Sequence, residues 1–340
     1  MSSTPRPIPS PNADLKTDLN AELAVASAAT VGAASTAPAT KWKLIAGFVV
    51  IYLVWGSTYL AIHWGVETIP PFGMGAARFL MAGSMLYSWC RIRGAKKPTK
   101  SQWKASAVIG ALLLFVGNGA VSWASQRVPS GLASVLVATV PLWLVLCELW
   151  QGKRPEFIKL IGVLIGLAGV VLLVMPTGAA TATIDPVGAV VLALGSLSWT
   201  IGSLYSRTAR QADSPALAIS MQMLVGGSLF LLLSLALGEW TQPLHVSARS
   251  AASLLYLIVF GSLIGFSTYM WLLKVASPTA VGTYAYVNPA VAVLLGVLFA
   301  GERLPAQAVA AMTVILGGVA MVSIAGGGAK RMVKAVWRVR

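Results

Sequence analysis

The chain has 340 residues, of which 57% are hydrophobic and 10% are charged, so most of it cannot face water and a soluble globular protein is excluded. Apolar runs close to the roughly 20 residues of a membrane-spanning helix follow one another after Lys43. These runs lack the alternation of barrel strands and therefore predict helices. The net charge of +15 comes from lysines and arginines that cluster in alternate loops, and no nucleic-acid partner is expected.

Residues 1–43 are rich in Ser, Thr, Pro and Ala and are predicted to form a disordered cytoplasmic tail. The remainder divides into a first five-helix unit over 44–175, a second over 185–325, and a basic cytoplasmic tail over 326–340. Prolines mark most of the corners between the helices. The ten predicted spans cover residues 44–66, 72–91, 105–125, 130–150, 157–175, 185–206, 215–237, 251–273, 278–300 and 304–325.

The basic residues predict how the spans are oriented. With a cytoplasmic N-terminus, the inside segments hold 21 lysines and arginines, whereas the outside segments hold three, Arg127, Arg249 and Arg303. Cytoplasmic loops of membrane proteins carry such an excess of positive charge. Both termini are therefore predicted to be cytoplasmic.

The second half of the chain repeats the first. Adding 148 to a residue number carries Pro141 onto Pro289 and Trp123 onto Trp271. Because each half has an odd number of spans, the second copy enters the membrane from the opposite face. The predicted fold is therefore an all-α polytopic membrane protein with ten transmembrane helices in two inverted five-helix repeats, an architecture typical of secondary transporters.

Several segments together resemble the EamA-type drug/metabolite transporters over residues 44–325. The resemblance implies a ten-helix bacterial inner-membrane permease that mostly exports amino acids and related metabolites. One departure is that Lys153 stands where the pattern has the glutamate of Gly301-Glu302-Arg303, which puts any role of that acid in the first half in doubt. The segments that carry the resemblance are WGSTYLAI, AARFL, VPSGLASVLVATVPL, IGLAGVVLL, TYAYVNPAVAVLLG and GERL.

The first helix of each half carries an aromatic and polar stripe. In span one, Trp55 and Tyr59 share a face with Tyr52 and His63, and in span six Trp199 shares a face with Ser196 and Ser203. Aromatic rings and hydroxyls suit an amphipathic solute, so Trp55, Tyr59, Trp199 and Ser203 are predicted to bind substrate. Packing between helices is the alternative, above all for Tyr52 and His63 near the helix ends.

Spans three and nine supply further polar groups. In span three, Asn118 and Ser122 lie on one face and bond either a solute or a neighbouring helix. In span nine, Tyr284 and Asn288 lie opposite Tyr286, and the pattern does not decide which face meets the cavity. All five are candidate binding residues. Pro289 interrupts span nine where Pro141 interrupts span four, and such breaks point either to a binding site or to a simple packing kink.

Few charges are embedded. Arg78 lies two turns inside span two, where it forms an ion pair with Glu67, snorkels, or binds a solute carboxylate. No aspartate or glutamate is expected at mid-membrane. Glycines in spans five and ten, including Gly162, Gly166 and Gly318, predict close helix packing within the chain, with a homodimer contact as the alternative.

The sequence thus predicts a secondary transporter that exports small amphipathic metabolites such as amino acids. Its expected partners are that small-molecule substrate and membrane lipids, and neither a cofactor nor a metal is expected. A membrane-embedded lipid-modifying enzyme is the alternative, but a non-enzymatic role is preferred because His63 and His245 are the only histidines and no paired-carboxylate motif occurs.

Overall fold

The computed structural model describes residues 41–152, 154–174, 185–241, 245–276, 281, 283–302 and 304–325. Across these ranges the chain forms helices and turns and contains no strand. The helices are α1 (Lys41–Gly65), α2 (Pro71–Ile92), α3 (Lys100–Ala124), α4 (Ser130–Trp150), α5 (Phe157–Val174), α6 (Pro186–Ser206), α7 (Pro215–Ala236), α8 (248–275), α9 (Tyr284–Ala300) and α10 (Ala306–Ala325).

Six of these helices, α1, α3, α4, α6, α7 and α8, are long and apolar enough to cross a membrane, and shorter apolar helices lie within α5, α9 and α10. The predicted all-helical membrane fold is confirmed for the described part of the chain, while the count of ten crossings stays a prediction. Residues 41–43, expected in the N-terminal tail, belong to α1. The other residues of both predicted tails lie outside the described ranges.

Local sequence explains where the helices begin and end. Proline occupies a first-turn position of α2, α6 and α7, where its missing N–H removes no helical hydrogen bond. Thr99 and Gln102 form a capping box at the start of α3. Gly301 ends α9 with φ of 64°, a left-handed conformation that glycine adopts without steric cost.

Two helices contain a π-helical stretch, Gly110–Asn118 in α3 and Leu257–Ile264 in α8. The 148-residue offset of the sequence repeat carries the first stretch onto residues 258–266. The two deviations therefore fall at matching places in the third helix of each half. Such π segments are rare and frequently occur at functional sites.

The first helix of each half packs against helices of the other half. Helix α1 packs against α8 and α9, the third and fourth helices of the second half, while α6 packs against α3 and α4 of the first half. The second helices, α2 and α7, pack against each other, as do the fifth helices, α5 and α10. The space between the halves is consequently enclosed by helices from both.

Glycines allow the backbones of α5 and α10 to touch. A Cβ atom on Gly318 would lie 2.5 Å from the Gly162 carbonyl oxygen and from the Gly166 nitrogen, which is too close for any real side chain. This seam is therefore an intramolecular contact, the first of the two predicted alternatives.

Among the residues that the structure describes, four contacts tie the halves together at one end of the bundle. The Glu302 carboxylate after α9 accepts hydrogen bonds from the backbone N–H groups of Ser130 (2.6 Å) and Gly131 (3.2 Å) at the start of α4. Glu239 after α7 similarly accepts from Phe72 and Gly73 at the start of α2. Carboxylates are stabilising at these positive helix ends. Ion pairs complete the set, Arg127 with Asp185 and Arg249 with Glu67, each at 3.4 Å.

Candidate functional site

A cavity lies between the two halves. Helices α1, α2, α3 and α4 of the first half and α6, α8 and α9 of the second half line it. The volume of the cavity is about 100 Å³. Its lining combines polar and apolar side chains, which makes it the candidate site for a small solute.

Trp55 is the centre of an aromatic cluster on one side of the cavity. Its ring centroid lies 5.3 Å from that of Phe266, 5.0 Å from Tyr269 and 5.2 Å from Tyr284. Tilted and edge-on arrangements at these distances are favourable for aromatic pairs. The Trp55 Nε1–H donates to the carbonyl of Gly261 in the π segment of α8 (3.3 Å). The indole is thereby held by packing and by a hydrogen bond.

Trp199 lies on the lining contributed by α6, with Ser196 one turn before it. Gly117 makes room for this indole, because a Cβ atom there would lie 3.2 Å from Trp199 Cε3. The Ser196 hydroxyl accepts a hydrogen bond from Trp143 Nε1 (2.9 Å) and donates to the Ala193 carbonyl (2.9 Å). Ser196 is thus bonded within the protein, and the indole of Trp199 is the larger surface offered to a solute.

The structure decides which face of α9 meets the cavity. Tyr284 and Asn288 line it, whereas the Thr283 hydroxyl bonds the Tyr52 hydroxyl at 2.5 Å. The Asn288 amide nitrogen faces two backbone carbonyls and donates to both, that of Tyr52 at 3.3 Å and that of Tyr284 at 3.2 Å. Asn288 thus joins α9 to the backbone of α1 at the edge of the cavity.

Asn118 lines the cavity from the end of the π segment in α3. Its Nδ2 donates to the carbonyl of Leu113, five residues earlier, at 3.2 Å. The side chain therefore supports the π segment. Its position on the lining also leaves the amide within reach of a solute.

Arg78 of α2 contributes a cation to the lining and is 4% exposed. Of the sequence-based alternatives, the ion pair with Glu67 is wrong, because Glu67 pairs with Arg249 of α8. Snorkelling is wrong as well, since the guanidinium is buried and its Nε donates to the Ser262 hydroxyl (2.9 Å). A buried cation beside aromatic rings is the most distinctive chemical feature of this site.

Six of the predicted binding residues lie around this one cavity, while Ser122 and Ser203 lie outside its lining. Ser122 is buried among the helices, and the Ser203 hydroxyl donates to the carbonyl of Trp199 on its own helix (2.7 Å). The prediction for Tyr286 falls on a side chain outside the described part of the structure. The six lining residues are Trp55, Tyr59, Asn118, Trp199, Tyr284 and Asn288.

The structure adds lining residues that sequence reasoning missed, among them Phe266 and Ser134. The sequence repeat could have identified Phe266 as a lining residue, because adding 148 to the number of Asn118, a predicted binding residue, gives 266. Ser134 lies in an apolar run with no pattern that sets it apart. His63, weighed with the stripe of α1, instead contacts the carbonyl of Ser125 through Nδ1 (2.9 Å) and thus joins α1 to the end of α3.

A helical membrane bundle whose two halves enclose a polar and aromatic cavity is the architecture of a membrane transporter. The sequence model of the EamA-like transporter family matches residues 42–175 and again residues 186–324. The chain belongs to this family and is a multi-pass membrane transporter.

The relatives agree with this assignment. The "Uncharacterized inner membrane transporter YedA" of Escherichia coli strain K12 is 40% identical over 276 residues, 81% of this chain and 88% of that protein. The "Uncharacterized transporter YvbV" of Bacillus subtilis strain 168 is 28% identical over 292 residues, 84% and 92% of the two chains. A solved crystal structure, 22% identical, covers 83% of this chain and 96% of its own with a TM-score of 0.57, a likeness that extends to the fold.

Proposed function

We propose that the protein exports small amphipathic metabolites, such as amino acids or related compounds, across the bacterial inner membrane by alternating access between two inverted repeats. The observation that carries this proposal is the cavity, because both family-matched stretches contribute to its lining. A solute held there contacts both repeats at once. A change in how the repeats pack therefore changes the side to which the solute is exposed.

The symmetry of the packing supports alternating access. The first helix of each half packs against the other half. The third helix of each half contains a π segment, and the two segments lie at matching places. Two similar halves can exchange conformations at similar energy, which gives two states related by the repeat. The loop charges support an inverted orientation with both termini in the cytoplasm.

The contacts at one end of the bundle support a gate there. The Glu302 and Glu239 carboxylates each bond the N-terminus of a helix from the first half, and the two ion pairs join the halves at the same end. In the proposed orientation this is the periplasmic end. Opening to the periplasm then requires these contacts to separate.

The lining supports a solute with an apolar body and polar groups. Indole and phenol rings offer stacking surfaces, and Asn118 and Asn288 offer amides. The lining residues of the described chain include no aspartate, glutamate, histidine or cysteine, so no observation favours the lipid-modifying enzyme. Export and the inner membrane are inferred from the family resemblance and from the name that YedA carries.

Counterflow in liposomes tests the proposal. Purified protein is reconstituted with an unlabelled amino acid or organic acid inside, and entry of the same compound in labelled form is measured. We expect labelled solute to accumulate transiently and to be recovered unchanged. Absence of counterflow across a panel of amino acids and related organic acids would contradict the transporter, and chemical conversion of the solute would favour the enzyme.

A further inference from the structure

Arg78 has no acidic partner in the described part of the chain. The ion pairs there are Arg127 with Asp185 and Arg249 with Glu67, and Glu239 and Glu302 bond backbone N–H groups instead. Burying a cation without an anion is costly. A fold that retains such a cation at a cavity therefore provides a place for an anionic group.

The guanidinium has donors left over for a ligand. Of its five N–H donors, the one on Nε bonds the Ser262 hydroxyl at 2.9 Å. The terminal nitrogens make no hydrogen bond to a described residue, and Arg78 is on the cavity lining. Two of these N–H groups in parallel match the two oxygens of a carboxylate.

The π segment of α8 holds the guanidinium in place. A Cβ atom on Gly261 would lie 3.2 Å from Arg78 Nη2, so glycine at this position makes room for the charged head. The next residue, Ser262, accepts the Nε–H bond. The carbonyl of Gly261 also accepts from Trp55 Nε1. The cation and the aromatic cluster are thus positioned side by side by the same turn of one helix.

The remaining lining carries no compensating charge. Arg78 is the only charged residue among the described lining residues, so an ammonium group in the cavity has no carboxylate to bind. An anionic solute gains a pair of charge-assisted hydrogen bonds from the guanidinium. A zwitterion gains the same pair but buries an ammonium group without a partner. A cationic solute is repelled by the guanidinium. The charge of the cavity therefore ranks these three kinds of solute.

We propose that Arg78 is the binding site for the carboxylate of the transported solute, and that the cavity selects small carboxylates with an aromatic or apolar body over the matching zwitterions and amines. The aromatic body lies against Trp55, Trp199 and Tyr284. This inference rests on the proposed function and narrows its substrate class from amphipathic metabolites to organic anions.

The experiment uses three probes with the same aromatic body and different charge: 3-phenylpropanoate, phenylalanine and phenethylamine. Binding to the full-length protein in detergent is measured by the rise in melting temperature and by quenching of tryptophan fluorescence. We expect 3-phenylpropanoate to bind at least roughly tenfold more tightly than phenylalanine, with phenethylamine weakest. Inorganic phosphate is tested alongside, and tighter binding of phosphate alone would overturn the carboxylate assignment.

Three variants test the role of Arg78. Arg78→Gln should lower the affinity for 3-phenylpropanoate at least roughly tenfold and abolish the preference over phenethylamine. Arg78→Lys should bind it more weakly than wild type while keeping the order of the probes, because an ammonium keeps the charge but loses the paired geometry. Arg210→Gln, which removes an exposed cation that neither lines the cavity nor takes part in the contacts at the end of the bundle, should leave affinity and order unchanged.

Equal or tighter binding of phenylalanine or phenethylamine, no binding of any probe, or unchanged 3-phenylpropanoate affinity in the Arg78 variants would each overturn this inference. Should Arg78→Gln fail to fold, the Arg78→Lys variant carries the comparison. Counterflow separates the two proposals. Transport without a charge preference contradicts the anion site alone, whereas charge-selective binding without transport contradicts the proposed function alone.

Discussion

At the scale of single residues, the candidate site depends on side chains whose orientation is fixed by neighbouring residues. Trp55 is fixed by three aromatic neighbours and a hydrogen bond to Gly261. Gly265 is part of this arrangement, because a Cβ atom there would lie 2.5 Å from Trp55 Nε1. A preorganised ring loses little conformational freedom when a solute stacks on it.

Replacing the cavity tryptophans tests this view. Trp55→Ala and Trp199→Ala should each lower counterflow roughly tenfold or more, because each removes a large stacking surface from the lining. Both variants should still insert into the membrane, as measured by their expression level and by gel filtration. Trp42→Ala is the matched control, since this residue of α1 is 75% exposed and away from the cavity. Full activity in both cavity variants contradicts the assignment.

At the scale of helices, small residues decide how closely the elements approach. Gly318 lies against the backbone of α5, while nothing lies within 4 Å of a Cβ atom on the adjacent Gly317. The two neighbouring glycines therefore have different roles on one helix. In membranes such close approach replaces the hydrophobic effect as a source of helix association.

This difference predicts opposite outcomes for the same substitution. Gly318→Ala should destabilise the protein by about 1–3 kcal/mol, because the added methyl forces α5 and α10 apart. Gly317→Ala should be neutral or slightly stabilising, since alanine favours the helix. Thermal unfolding in detergent measures both. Equal melting temperatures for the two variants would show that the α5–α10 contact tolerates the methyl group.

At the scale of the whole molecule, the decisive property is the relation between the halves. The family model matches both of them, and each half supplies its first helix to the other. Transport by the proposed mechanism requires that the copies lie upside down to one another. The basic residues of the loops predict this arrangement.

Cysteine labelling tests the inverted arrangement. Lys97 in the loop after α2 and Val246 in the loop after α7 are related by an offset of 149 residues, and both are exposed. In a background with Cys90 and Cys147 replaced by serine, Lys97→Cys should label only from the cytoplasmic side. Val246→Cys should label only from the periplasmic side. Labelling of both from one side contradicts the inverted repeat.

The sequence by itself determined the helices, the repeat and the family. Apolar runs specify helices in lipid because each helix satisfies its own backbone, and the offset that joins Pro141 to Pro289 is visible without coordinates. Periodicity also placed Trp55 with Tyr59 and Tyr284 with Asn288, since residues three or four apart share a helical face.

Only the tertiary structure decided which faces meet the cavity. Periodicity defines a face within one helix, but the rotation of that helix is set by packing against its neighbours, here by contacts such as Gly318 with Gly162. The same packing places Arg249 beside Glu67 and turns Arg78 toward the aromatic cluster. The pairing of charges depends on distances between helices far apart in the chain, and one chain's sequence does not contain those distances.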